Sequence, residues 1–392
     1  MPLSRRRFLG TAAWLAAGAA VSSQALAGIR PAASGAIDAG RLDAVLEAAV
    51  AARHTPGVAL AVWHRGEPLY RRAIGSANLE TASGLGIDSV FRVGSVSKQV
   101  TAALVLRLVG QGRLALDDPA QKYLPVLSKH APFSVLELLN HTAGIRDGEY
   151  DTRADHTLSH LEQAERMAAQ APFFDFPPGT AWLYSNAGYL LVGAIIEKVT
   201  GLSLAQAATT ELFEPLGLRH TAFDRSGEVV PGRVSGYTPT GEAALPFENA
   251  AWLDVGLAGA AGALRSTAED LCRWQQALWW SGALPRDFAR PLAVAARLRD
   301  GRLAREARFA ERDRAMGETD YGLGLMLDRG TRDGSLILGH HGGINGFAAY
   351  AASHPASGLS YACLCNADTH PGLPLRDVRR TVFAAVLPPP VD

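Results

Sequence analysis

Apolar residues recur at helical spacing over residues 40–53 (Leu42, Val45, Leu46, Ala49, Val50), and Thr55-Pro56-Gly57 stops the run. Residues 58–64 then read as an apolar strand, Arg65-Gly66 as a turn and 68–74 as a second strand, giving a helix followed by a hairpin. From Ser95 to about residue 300 helical patterns dominate. Ser134-Val135-Leu136-Glu137 has capping-box spacing and predicts a helix that closes before Gly144. Residues 189–199 predict another helix, and Ser266-Thr267-Ala268-Glu269 opens one more. Strand patterns return at 335–338, 346–352 and 359–365, and a last helix covers about 375–386.

With β elements at both ends and helices between, the predicted class is α/β (α+β). The two ends join in one antiparallel sheet with terminal helices on a face, and the middle forms a helical subdomain. The expected division is a sheet subdomain of about 35–90 and 320–392 and a helical subdomain of about 91–319, with the active site in the cleft between them. The Arg-rich stretch 297–314 reads as an exposed helix or loop.

The N-terminus changes this picture only by subtraction. Arg5-Arg6-Arg7-Phe8-Leu9 precedes a small-residue apolar run over 11–21, and Ala25-Leu26-Ala27 supplies an A-x-A cleavage site. Residues 1–27 therefore read as a twin-arginine (Tat) signal peptide rather than a basic-flanked anchor, because the run is too short to span a bilayer stably. The expected mature chain, 28–392, passes through the Tat machinery to the periplasm or beyond. The full 392-residue sequence carries 38 basic and 38 acidic residues with no charged block, which excludes nucleic-acid and membrane-surface binding as its business. Cys272, Cys363 and Cys365 are an odd set without CxxC spacing, so buried free thiols are expected and no zinc site.

The chemistry starts at Ser95-Val96-Ser97-Lys98. A Ser and a Lys three residues apart on a helix share a face. Only four lysines occur in the chain (Lys98, Lys122, Lys129, Lys198), and this one sits among Val96, Val100, Ala103, Leu104 and Leu108. Burial and the positive helix end both penalise its charged form, leaving an amine able to take the serine proton. The same stretch also reads as a core helix whose lysine reaches solvent. Further on, Phe176-Pro177-Pro178-Gly179 leads into Tyr184-Ser185-Asn186. There a phenol can act as a base beside an ammonium and an amide can touch a substrate carbonyl, or Tyr184 packs on Trp182 while Asn186 caps a helix. Gly339-His340-His341-Gly342-Gly343 lies between two strand patterns, ahead of an Asn345-Gly346 turn. Its glycines let a substrate approach a strand edge, where backbone N–H groups can hold an oxyanion.

Together and in this order, the three segments resemble the serine β-lactamase and penicillin-binding-protein superfamily, and within it the class C β-lactamase branch with its D-aminopeptidase, DD-carboxypeptidase and esterase relatives. Leu138-Leu139-Asn140-His141-Thr142-Ala143-Gly144, Pro215-Leu216-Gly217-Leu218 and Ser266-Thr267-Ala268-Glu269-Asp270-Leu271 resemble further family segments. The resemblance implies a β-lactamase-like fold and a Ser95 acyl-enzyme formed on a small amide, peptide or ester. Lys98 and Tyr184 would be catalytic, with the choice of base between them open. Asn186, His340, Gly342 and Gly343 would bind substrate, the N–H groups of Ser95 and Gly343 would form the oxyanion hole, and no cofactor or metal is implied. His340 departs from the lysine usual in β-lactamases; a histidine only partly charged near neutrality makes efficient β-lactam hydrolysis less expected. The alternatives are a penicillin-binding sensor that acylates without turnover, a true class C β-lactamase, or a non-catalytic relative. His156 and His160 stand four apart, but Asp155, Glu162 and Glu165 suggest a solvated face rather than a metal site. His141 is expected to end its helix, and Trp252 and Asp254 to lie in a substrate-facing loop.

Overall fold

Alternation along strand β1 (Gly57–His64) sets the architecture, because its side chains feed two different cores. In the computed structural model, which describes residues 37–148, 158–285 and 287–388, Val58, Leu60 and Val62 pack with Leu42 and Leu46 of helix α1 (Ala39–Ala51) on one face. Ala59, Ala61 and Trp63 point into a second, larger core on the other. The predicted leader, residues 1–27, lies outside the described residues, as does His156.

The sheet continues with β2 (Glu67–Asn78) and β3 (Ser83–Gly84) and resumes with β4 (Asp320–Tyr321), β5 (Met326–Asp328), β6 (Ile337–Ile344), β7 (Phe347–His354) and β8 (Leu359–Cys365). Strand order is β3-β2-β1-β8-β7-β6-β5-β4, so β1 pairs antiparallel with β8 and the chain ends meet in one sheet, as the pattern predicted. Tyr361, Cys363 and Cys365 of β8 join the α1 face, which helix α6 (Leu375–Val382) covers with Val378 and Val382. All three cysteines are free and buried. On the other face the sheet presents small residues, Ala349, Ala351 and Ala362, which leave room for helices to approach.

Helix α2 (Ser97–Gly110) is buried on almost every side, as a helix apolar all round must be. Helix α3 (Val135–Leu139) has the Ser134–Glu137 capping box. Helix α4 (Asn186–Thr200) starts three residues before its predicted beginning, because Ser185 caps it by accepting from the Gly188 N–H. Helix α5 (Ala268–Trp279), capped by Thr267, lies on β1 and β8. The middle of the chain also holds short strands: Leu264–Ser266 pairs with both Phe91–Arg92 and Ala222–Phe223, pieces too brief to show a period. The stretch over 297–314 forms turns and the short helix Glu311–Arg314. Among the described residues no single helix is long and apolar enough to cross a membrane.

Candidate active site

Ser95 stands on a tight turn, Gly94–Val96, immediately before α2. The turn is possible only because two glycines face each other across it. Gly94 has φ +51°, and a Cβ there would meet the Gly343 backbone at 2.7–2.8 Å. Gly342 lies under the turn: a Cβ would come within 1.9 Å of the Val93 carbonyl oxygen. Ser97 Oγ donates to the Gly94 carbonyl at 2.6 Å and accepts from the Leu264 N–H at 2.9 Å, pinning the turn from behind. Ser95 is thereby held half-buried at a cleft of about 330 Å³ that Tyr184, Asp313, His340 and Gly343 also line.

The His-His-Gly-Gly segment, expected between strands, is itself strand β6; its glycines hid it by interrupting the apolar run. Strand β5 pairs with β6 only as far as Gly339, so the edge beyond it faces the nucleophile turn. Gly342 admits that turn rather than substrate, whereas Gly343 is exposed at the open edge. Gly342→Ala should force strand and turn apart. Overpacking of this kind costs about 1–3 kcal/mol. A Tm lower by a few degrees and at least a ~100-fold slower labelling of Ser95 by a fluorophosphonate are expected, since a misplacement of about 1 Å is worth that much. Wild-type values in both measurements would contradict the close approach.

Lys98 is wholly buried in the first turn of α2. Its Nζ lies 2.7 Å from Asn186 Oδ1, 2.8 Å from the Ala261 carbonyl oxygen and 3.2 Å from Ser95 Oγ. It also stands 4.7 Å from the centre of the Tyr184 ring. Burial lowers its pKa to about 7, against the opposing pull of the Asp147 charge. Asn186 Oδ1 and a carbonyl can only accept, so a neutral amine spends both N–H bonds on them. Its lone pair is then left for the Ser95 hydroxyl proton.

Asp147, which no local pattern in the sequence announces, holds the far side of this arrangement. Its carboxylate accepts from Ser185 Oγ at 2.8 Å and from the backbone N–H groups of Asn186 and Ala187 at 3.1 and 2.8 Å. A negative charge at the first turn of α4 is well placed against the helix dipole, and it fixes where Asn186 points.

Tyr184 packs against His141 and His340, with ring centres 4.5 and 5.9 Å apart. His141 has φ +64° directly after Asn140, the C-cap of α3, so it does end that helix. It is also buried behind Tyr184, and its Nδ1 accepts from the Ser185 N–H at 3.2 Å. Burial, then the charges of Lys98 and His340, keep its pKa well below the usual histidine range. His340 is not partly charged, as the sequence reading had it. Burial above all, and Lys98 nearby, lower its pKa to about 3. Its Nδ1–H donates to the His341 carbonyl at 2.5 Å, and its Nε2 accepts from the Tyr321 hydroxyl at 2.9 Å. A neutral ring so engaged offers no cation at the strand edge.

Other expectations fare differently. His160 is not on a solvated face: it is buried, its Nδ1 lies 3.1 Å from Glu197 Oε1, and its Nε2 accepts from the Ala260 N–H at 3.1 Å. Among the described residues no group of three or more His, Cys, Asp or Glu side chains is placed to hold a metal ion. Asp254 caps the turn Val255–Ala258 and lines a separate cavity of about 540 Å³, while Trp252 is exposed.

A sheet closed by both chain ends, with Ser95 and Tyr184 lining one cleft and Lys98 buried between Ser95 and Asn186, has the build of the β-lactamase and penicillin-binding-protein fold. The chain belongs to the beta-lactamase family, whose model matches residues 42–385. It is 36% identical over 203 residues to the esterase EstB of Burkholderia gladioli, covering 47% of this chain and about half, 51%, of the esterase. It is 34% identical over 323 residues to penicillin-binding protein 4 of Amycolatopsis lactamdurans, covering 80% and 81% of the two chains. A solved D-stereospecific amidohydrolase from Streptomyces superposes with a TM-score of 0.71 at 30% identity, over 89% of this chain and 99% of that one.

Proposed function

We propose that the protein hydrolyses small esters and amides, D-amino-acid amides among them, through an acyl-enzyme on Ser95. The observation that carries this reading is the Lys98 amine, whose two acceptor-only partners leave its lone pair for Ser95 Oγ. Ser95 Oγ attacks the carbonyl carbon while its proton passes to Lys98. The N–H groups of Ser95 and Gly343 receive the oxyanion. Tyr184 delivers the proton to the leaving group; water then attacks the ester carbonyl, passing its proton back through Tyr184 and Lys98, and Ser95 leaves with a proton regained. The neutral His340 argues against a substrate carboxylate bound at the strand edge, and so against efficient β-lactam turnover. The twin-arginine leader supports export, so the substrates are those of the periplasm or the medium.

The pH profile tests the reading. The base form is the neutral amine, so kcat/KM on an uncharged p-nitrophenyl ester should rise with pH through an apparent pKa of about 7 and then level off. That value is the Lys98 amine's, set by burial against the pull of the Asp147 charge. A profile flat across this range would remove Lys98 as the base. Likeness to a penicillin-binding protein favours one second reading, acylation without turnover. A long-lived penicillin adduct by intact mass, with no ester or amide hydrolysed, would establish it instead.

A further inference from the structure

One carboxylate in the cleft has no task in the chemistry above. Asp313, on the short helix Glu311–Arg314, lines the same cleft as Ser95 and Tyr184. It is 7% exposed, and its Oδ2 is buried with no hydrogen-bond partner. A buried acceptor without a donor costs stability, as does a buried carboxylate without a counter-charge. The available cations do not fill the vacancy. Arg312 Nε stands 3.8 Å from Oδ1, and that side chain is 71% exposed. Arg308 donates to the carbonyls of Gly317 and Thr319 and lies over the Trp182 ring. Burial pushes the Asp313 pKa up, against Arg312, a hydrogen bond from the Tyr184 backbone N–H to the carboxylate, and Arg308, all of which favour the charged form. Asp313 thus places an acceptor short of a donor in the cleft, beside a neutral His340 that would not draw a carboxylate.

We propose that Asp313 receives the ammonium group of the substrate, so that the enzyme selects acyl groups bearing a free primary amine close to the scissile carbonyl. This rests on the Ser95 acyl-transfer reading and narrows it. An ammonium brings an N–H donor for Oδ2 and a compensating charge at once. A substrate whose amine is acylated brings neither.

The test compares kcat/KM for D-alanine p-nitroanilide with that for its N-acetyl derivative, at a pH of about 7 where the amine is largely protonated. The wild type should prefer the free amine. Asp313→Asn keeps the shape and removes the charge, and should cut that preference about 10- to 100-fold, mainly through KM, the range for a hydrogen bond to a charged group. Asp313→Glu should restore part of it. In the wild type alone, benzylammonium should inhibit ester hydrolysis competitively and at least about tenfold more strongly than benzyl alcohol. This second measurement holds even if a variant fails to fold. An unchanged preference in a folded Asp313→Asn, or equal inhibition by amine and alcohol, would overturn the assignment while ester hydrolysis kept the Ser95 reading intact. Failure of a fluorophosphonate to label wild-type Ser95 would overturn both.

Discussion

Ser95→Ala is expected to lower esterase kcat/KM by at least about four orders of magnitude, since nucleophile removal in serine hydrolases leaves only what binding and oxyanion stabilisation provide. The fold should hardly notice. Ser95 is half-buried and gives Lys98 only the longest of its three contacts, 3.2 Å, while those to Asn186 and Ala261 remain. A Tm within about 2 °C of wild type is expected, as for substitutions that leave no cavity and no orphaned donor. Intact mass after fluorophosphonate treatment completes the test: one adduct on the wild type and none on the variant. An adduct on Ser95→Ala, or more than a few per cent of wild-type activity, would place the nucleophile elsewhere.

How much of this site is legible in the sequence follows the range of the forces involved. The Ser95–Lys98 pair is local, fixed by helical spacing alone, and the structure puts the two in contact. Tyr184 and Asn186 are legible as a loop ahead of a helix. Their meeting with Lys98, 88 residues away, depends on packing that no periodicity encodes. Asp147 and Tyr321 have no local signature, although one anchors the start of α4 and the other holds His340. Charge states are least legible of all. A histidine in the sequence has the usual pKa, and only burial turns His340 neutral or removes His160 from solvent. Strand β6 is legible only at its start, within the strand pattern at 335–338, and its remainder is hidden for the opposite reason. Gly342 and Gly343 interrupt the apolar pattern because the nucleophile turn needs the space, so the residues that hide the strand are the ones that make the site.

Lys98→Met separates catalysis from stability more sharply than any other change at this cleft. Without the amine, the Ser95 proton has no nearby neutral base, and kcat/KM should fall by about 10³–10⁴-fold, the upper part of the range for general-base catalysis. Stability should move the other way in acid. The folded-state pKa of about 7 lies below the ordinary 10.5, so between the two values the unfolded chain binds the extra proton and wild-type stability rises with pH. Below both values the buried lysine carries its full penalty, about 5 kcal/mol for that difference. Methionine removes the penalty but leaves Asn186 Oδ1 and the Ala261 carbonyl without their donor, at about 1–3 kcal/mol each. The variant should therefore melt above the wild type near a pH of about 6, lose the advantage as the pH rises, and fall below it by a pH of about 9–10. A Tm difference that did not change over this range would mean that Lys98 titrates alike folded and unfolded. The predicted crossing instead makes the free energy spent on burying one amine the physical origin of its availability to Ser95.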